Sequence, residues 1–205
     1  MLDRYVRPRI DPALEAVARR LSHAGVSADA MTLIGGALGI AAAVAIGFDA
    51  SLAALGLIVL NRICDGLDGT IARATGSTDD AGGFLDITVD FAVYAAIPLG
   101  FAVAAPPENA LAAAFLLSGF LVNGAAFLAY ARVDNAQTTA EADAEGKAFA
   151  YLAGLAGGTE TVIFLLIVCA MPSWFAAAAA AFAALCWISG TCRIAIAYRR
   201  LQQRR

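Results

Sequence analysis

Residues 61–91 read NRICDGLDGTIARATGSTDDAGGFLDITVDF and set four of their six carboxylates, Asp65, Asp68, Asp86 and Asp90, at the facing ends of two apolar runs. Residues 52–64 are apolar and continue as helix through Arg73, and residues 84–105 are apolar again. On the first helix Asp65, Asp68, Gly69, Ala72 and Arg73 are related by three- and four-residue steps and share one face; on the second, Asp86 and Asp90 are four apart and share another. The segment 74–83 between them, with Gly76, Gly82 and Gly83, predicts the reversal that makes the two helices antiparallel. All four carboxylates then converge on one spot.

Around that junction the 205-residue chain is 60% hydrophobic and only 15% charged. Soluble domains run at roughly 45–50% apolar and about 25% charged, so the long apolar runs predict a polytopic membrane protein, each crossing helix needing about 20 residues. Apolar stretches at 31–48, 52–64 and beyond, 84–105, 110–131, 161–171 with a less apolar approach from Tyr151, and 174–197 predict six spans. Turn signals separate them at Gly47-Phe48-Asp49, Pro106-Pro107-Glu108-Asn109 and Met171-Pro172-Ser173. All fourteen basic residues fall on the other side of this layout. Both termini and the two longer loops are therefore expected in the cytoplasm.

The expected architecture is a single all-α membrane domain over 1–205: a juxtamembrane amphipathic segment at 1–30, then a six-helix bundle at 31–198. Asp11 and Pro12 suit a helix start, after which Leu14, Val17, Ala18 and Leu21 recur at helical spacing opposite Arg19 and Arg20. That predicts a helix lying on the membrane surface. His23 beside Gly25 reads as an exposed turn residue. Cys64, Cys169, Cys186 and Cys192 form no C-x-x-C pair and read as small apolar fillers. The net charge of −3 offers no basic face for nucleic acid. With five arginines in the first thirty residues no cleavable signal peptide is expected, and the first span directs insertion, in bacteria into the inner membrane.

Charge at membrane depth marks a functional site by default. Like charges about 4 Å apart cost roughly 4 kcal/mol per pair at an effective dielectric near 20, so the four carboxylates need compensation. Oxygen-only ligands favour Mg²⁺, Mn²⁺ or Ca²⁺ over zinc. Four carboxylates suffice for two divalent cations, an arrangement suited to displacement at phosphorus. Gly66, Gly69 and Ala72 leave room for a phosphate, and Arg73 adds a fixed cationic fork.

The order Asp65-x2-Asp68-Gly69-x2-Ala72-Arg73-x8-Gly82-x3-Asp86-x3-Asp90 resembles the signature of the CDP-alcohol phosphatidyltransferases, integral membrane enzymes of six spans. A chance match of its eight fixed letters has a probability on the order of 10⁻¹⁰ per window, so composition does not account for it. The resemblance implies that Asp65, Asp68, Asp86 and Asp90 are metal ligands, with Mg²⁺ or Mn²⁺ as cofactor, and that Asp90 is also the general base. It implies that Gly69, Ala72, Arg73, Thr78 and Gly82 surround the cytidine diphosphate. Asp79 and Asp80 lie outside the signature and read as solvated loop residues. Where the family often has Pro before the first span, this chain has Ser27-Ala28-Asp29-Ala30, expected to loosen that helix start.

The implied reaction transfers a substituted phosphate from a CDP-linked lipid, CDP-diacylglycerol or a similar CDP-alcohol, to a small polar alcohol, releasing CMP. Arg132, Lys147 and Arg193 lie on the carboxylate side and could hold an acceptor that itself carries phosphate; Glu160 could pair with Arg193 or contact the acceptor. For Arg132 and Lys147 a purely topological role is the competing reading. A cation transporter is the alternative class, but it predicts polar groups through the full bilayer depth, whereas here they cluster at one face. A family member without activity is the other alternative. Small-residue surfaces at Gly35-Gly36-x2-Gly39 and in the alanine run 176–181 permit close helix contact within or between chains, and a homodimer is expected.

Overall fold

The computed structural model describes residues 3–134 and 156–203, and among them all regular structure is helical. The α-helices are α1 (Asp3–His23), α2 (Ala28–Gly47), α3 (Ser51–Thr75), α4 (Asp80–Ala104), α5 (Pro106–Asp134), α6 (Gly158–Ala170) and α7 (Phe175–Gln202); a 3₁₀ turn (Pro172–Trp174) leads into α7. Four stretches are long and apolar enough to cross a bilayer: α2, α4, the Pro106–Ala129 part of α5, and Pro172–Gln202. Helix α3 spans 25 residues but is interrupted by Arg62, Asp65, Asp68 and Arg73, and α6 has 13. Outward faces are apolar: Leu111 and Leu121 are 84% and 71% exposed, a surface that water would penalise and lipid accepts.

Local chemistry fixes the helix ends that frame the site. Ser27 caps α2, its Oγ accepting the Ala30 N–H at 3.2 Å, so the loosening expected at Ser27-Ala28-Asp29-Ala30 does not occur. Helix α3 ends at Gly76, which takes the left-handed conformation (φ 69°) that an L side chain resists. Asp79 then caps α4, its Oδ1 accepting the Gly82 N–H at 2.7 Å. The loop role expected of Asp79 is thereby corrected, while Asp80 is exposed in the first turn. The start expected for α1 at Asp11-Pro12 is also corrected. The helix runs from Asp3 through both Pro8 and Pro12, because the apolar period already begins at Val6 and Ile10.

Helix α2 packs along both α3 and α4, and α5 along α7, with α4–α5, α1–α3 and α3–α6 contacts joining the parts. Small residues set the closest approaches. A side chain at Gly36 or Gly39 would collide with Val89 or Val93 of α4, and one at Gly119 or Gly190 would crowd the α5–α7 seam. The Gly35-Gly36-x2-Gly39 surface is thus used within the chain. Phe101 stacks on Phe175 at 4.1 Å between ring centres and Phe164 on Phe182 at 4.5 Å, tying α4 and α6 to α7.

The apolar side of α1 meets protein: Ala18 is fully buried, and Leu14 and Leu21 pack with Met31, Leu67 and Ile71. This docking holds α1 against the carboxylate-bearing half of α3. His23 is exposed, as expected, and Gly25 turns the chain at φ 84°. Cys64, Cys169 and Cys186 are buried free thiols, in keeping with a filler role.

Candidate active site

Antiparallel α3 and α4 bring Asp65, Asp86 and Asp90 together, each offering one carboxylate oxygen within 4.8 Å of the others, all three residues half-buried. Two oxygens on one hard divalent ion stand up to about 4–5 Å apart, twice a metal–oxygen distance of ~2.0–2.6 Å. The three oxygens are thus close enough together to be candidate ligands of one divalent ion. Asp68 sits beside this group and is buried. Its Oδ2 accepts the Thr32 hydroxyl of α2 at 2.7 Å, and its Oδ1 accepts the Gly69 N–H at 2.5 Å.

The structure adds a residue that sequence reasoning treated only as a topological charge. Arg62 lies near the midpoint of α3, not at its end, and its side chain is 15% exposed. Nη2 donates to Asp90 Oδ1 at 2.7 Å, Nη1 lies 3.6 Å from Asp65 Oδ2, and Nε donates to Asn61 Oδ1 at 2.8 Å. Nη1 also reaches the Tyr94 hydroxyl at 3.3 Å, and the guanidinium carbon lies 5.7 Å from the Tyr94 ring centre. Tyr94 in turn donates to Asp90 Oδ2 at 3.2 Å. Buried Asn61 is anchored by its own amide, which donates to the Gly35 carbonyl of α2 at 2.8 Å. Helical spacing carried this signal, since Arg62 is three residues before Asp65 and Tyr94 four after Asp90. Thr32, on a third helix, had no such signal.

The residues expected around the diphosphate lie in order along the same corner. Gly69, Ala72 and Arg73 occupy the last turns of α3, Thr78 the connection, and Gly82 the first turn of α4. Arg73 Nη2 donates to the Thr70 hydroxyl at 3.1 Å. It borders a cavity of about 790 Å³ shared with Arg19 and His23 of α1.

The expected acceptor residues are more spread. Arg193, half-buried on α7, has its guanidinium carbon 5.3 Å from the Phe127 ring centre on α5. Glu160 stands in the first turn of α6. Arg132 belongs to the end of α5, and Lys147 lies outside the described residues.

A family model described as CDP-alcohol phosphatidyltransferase matches residues 26–189, which include the carboxylate corner and its supporting helices. The chain belongs to the CDP-alcohol phosphatidyltransferase family. It is 44% identical over 202 residues to the inner membrane protein YnjF of Escherichia coli K12, covering 98% of each chain. To the archaetidylinositol phosphate synthase of Pyrococcus horikoshii it is 32% identical over 98 residues, 48% of this chain and 52% of that one. Its fold matches the Mycobacterium tuberculosis phosphatidylinositol phosphate synthase PgsA1 with CDP-DAG bound (TM-score 0.70, 20% identity, 90% of this chain and 93% of that one). The same enzyme in complex with manganese and citrate matches at TM-score 0.67 and 18% identity, over 90% of this chain and 88% of that one. This CDP-alcohol phosphatidyltransferase is thus a membrane transferase of phospholipid biosynthesis, and its family uses metal.

Proposed function

We propose that the protein transfers a phosphatidyl group from CDP-diacylglycerol to a small polar alcohol, releasing CMP, at the cytoplasmic face of a six-span bundle with both termini inside. The observation that carries this reading is the approach of Asp65, Asp86 and Asp90 within 4.8 Å, on residues of the family signature. Mg²⁺ or Mn²⁺ bound there neutralises the donor diphosphate. Asp65, Asp68 and Asp86 are the proposed ligands, with Asp90 as ligand and base. Gly69 and Ala72 let the diphosphate approach the helix backbone, Arg73 pairs with its oxygens, and Thr78 and Gly82 border the cytidine.

Asp90 takes the proton from the acceptor hydroxyl as the new oxygen–phosphorus bond forms, and the bond from phosphorus to the CMP oxygen breaks. Arg193 and Glu160, with Arg132 and Lys147, are the proposed acceptor contacts, suited to an alcohol with its own phosphate. A homodimer is proposed through the exposed side of the alanine run on α7. The test is to offer the purified protein labelled CDP-diacylglycerol with a panel of alcohols. One acceptor should elicit CMP and the matching phospholipid; a panel including glycerol 3-phosphate and inositol phosphate that yields no CMP would contradict the reading.

A further inference from the structure

We infer that the cavity between α1 and the last turns of α3 is a phosphate-binding site, in which Arg19 and His23 of α1 join Arg73 of α3 to hold the phosphate of a soluble ester or of an anionic lipid headgroup. It is a second site, beside the carboxylate corner and independent of the transfer reaction proposed above. The face of α3 turned towards α1 carries Gly66, where a side chain would meet Leu14, and one turn later Thr70. Asp65, Gly69 and Ala72 lie on the neighbouring face, and Arg73 stands at the edge between the two.

The cavity measures about 790 Å³, and pockets that take small ligands run at roughly 300–1,000 Å³. Glu15, Arg19, Ser22 and His23 line it from α1, and Thr70 and Arg73 from α3. Two guanidinium groups and an imidazole therefore face a single carboxylate, with two hydroxyls among them. That donor set suits phosphate oxygens and does not suit an acyl chain. Arg73 is held in place: its Nη2 donates to the Thr70 hydroxyl at 3.1 Å, and that buried hydroxyl donates to the Gly66 carbonyl at 2.7 Å. Arg19 is the movable arm. Its contact with Glu15 is 3.8 Å long between side chains more than half exposed, a pair that contributes little in water, so a phosphate can compete for the guanidinium.

His23 is the only histidine of the chain, so its resonance reports on the cavity without ambiguity. The test places the full-length protein, labelled with ¹³C-histidine and freed of any affinity tag, in maltoside detergent, which carries no phosphate. At constant pH, one arm adds inorganic phosphate against sodium chloride of equal ionic strength, and the other adds phosphatidylglycerol to the micelles. A saturable shift of the His23 resonance is expected in at least one arm, and the arm that gives it identifies the source of the phosphate. Arg19→Gln should raise the half-saturating concentration about tenfold, through loss of a charge-assisted contact. Arg20→Gln, exposed on the same helix and outside the cavity lining, should leave it unchanged. No saturable shift in either arm overturns the inference. So does a shift that Arg19→Gln leaves as it was, or one that Arg20→Gln weakens equally, which would mark the diffuse charge of α1. Turnover of CDP-diacylglycerol, read separately on the same preparation, decides the transfer reaction whatever His23 reports.

Discussion

An aspartate that must accept a proton from an alcohol has to be ionised, oriented and open to the incoming hydroxyl. Asp90 is oriented by two donors on different helices, Arg62 of α3 and Tyr94 of its own α4. Asp90→Asn keeps the shape and loses the base, so CMP release should fall to background while the circular dichroism spectrum stays helical. Wild-type turnover in that variant would remove Asp90 from the reaction. Tyr94→Phe deletes one charge-assisted hydrogen bond, of a kind that contributes about 1.5–3 kcal/mol. If roughly 1.4 kcal/mol of this is expressed in the transition state, kcat falls about tenfold, with KM for the lipid little changed. The four carboxylates were legible because their spacing follows the helix period. Arg62 is legible in the same way, three residues before Asp65, although a basic residue near the end of an apolar run is ordinarily a topological marker. Thr32 was hidden for a different reason: no local pattern says that α2 will lie against Asp68.

Helix termini and seams show how thinly such a corner is held. The Asp79 cap orders the first turn of α4, the turn that includes Gly82. Asp79→Ala should cost about 1 kcal/mol and speed amide exchange at 80–83, readable by mass spectrometry, with little change elsewhere. Between α2 and α4 the limit is steric. Gly39→Leu puts a large side chain where Val93 already sits, overpacking that costs about 1–3 kcal/mol and lowers the thermal midpoint in detergent; an unchanged midpoint would mean that the seam can open. Apolar runs disclosed α2 to α7 to within a few residues, whereas α1 begins at Asp3, well before the expected start at Asp11. Their ends were harder to see, because a cap depends on one side chain reaching one backbone N–H. Asp79 does so where a loop charge was expected, and the helix runs through Asp11, where a start was expected.

Across the whole molecule, the membrane character follows from composition, and the orientation proposed above, with both termini inside, rests on the distribution of basic residues. A fluorescent protein fused after Arg205 should fluoresce and a phosphatase at the same point should be inactive; the opposite pattern would place the carboxylates outside. Chelation should abolish CMP release from wild type, and Mg²⁺ or Mn²⁺ should restore it, whereas full activity in excess chelator would exclude a metal at Asp65, Asp86 and Asp90. The charge asymmetry is a poor guide to Arg62, whose neighbours are carboxylates and not headgroups. One arrangement has a consequence during synthesis. Thr32, Asn61, Arg62, Tyr94 and the four carboxylates all belong to α2, α3 and α4, which are consecutive. A nascent chain that has released α4 from the ribosome already holds every group of that polar cluster. Early pairing of these helices would shield buried charge from lipid before translation of α7 begins.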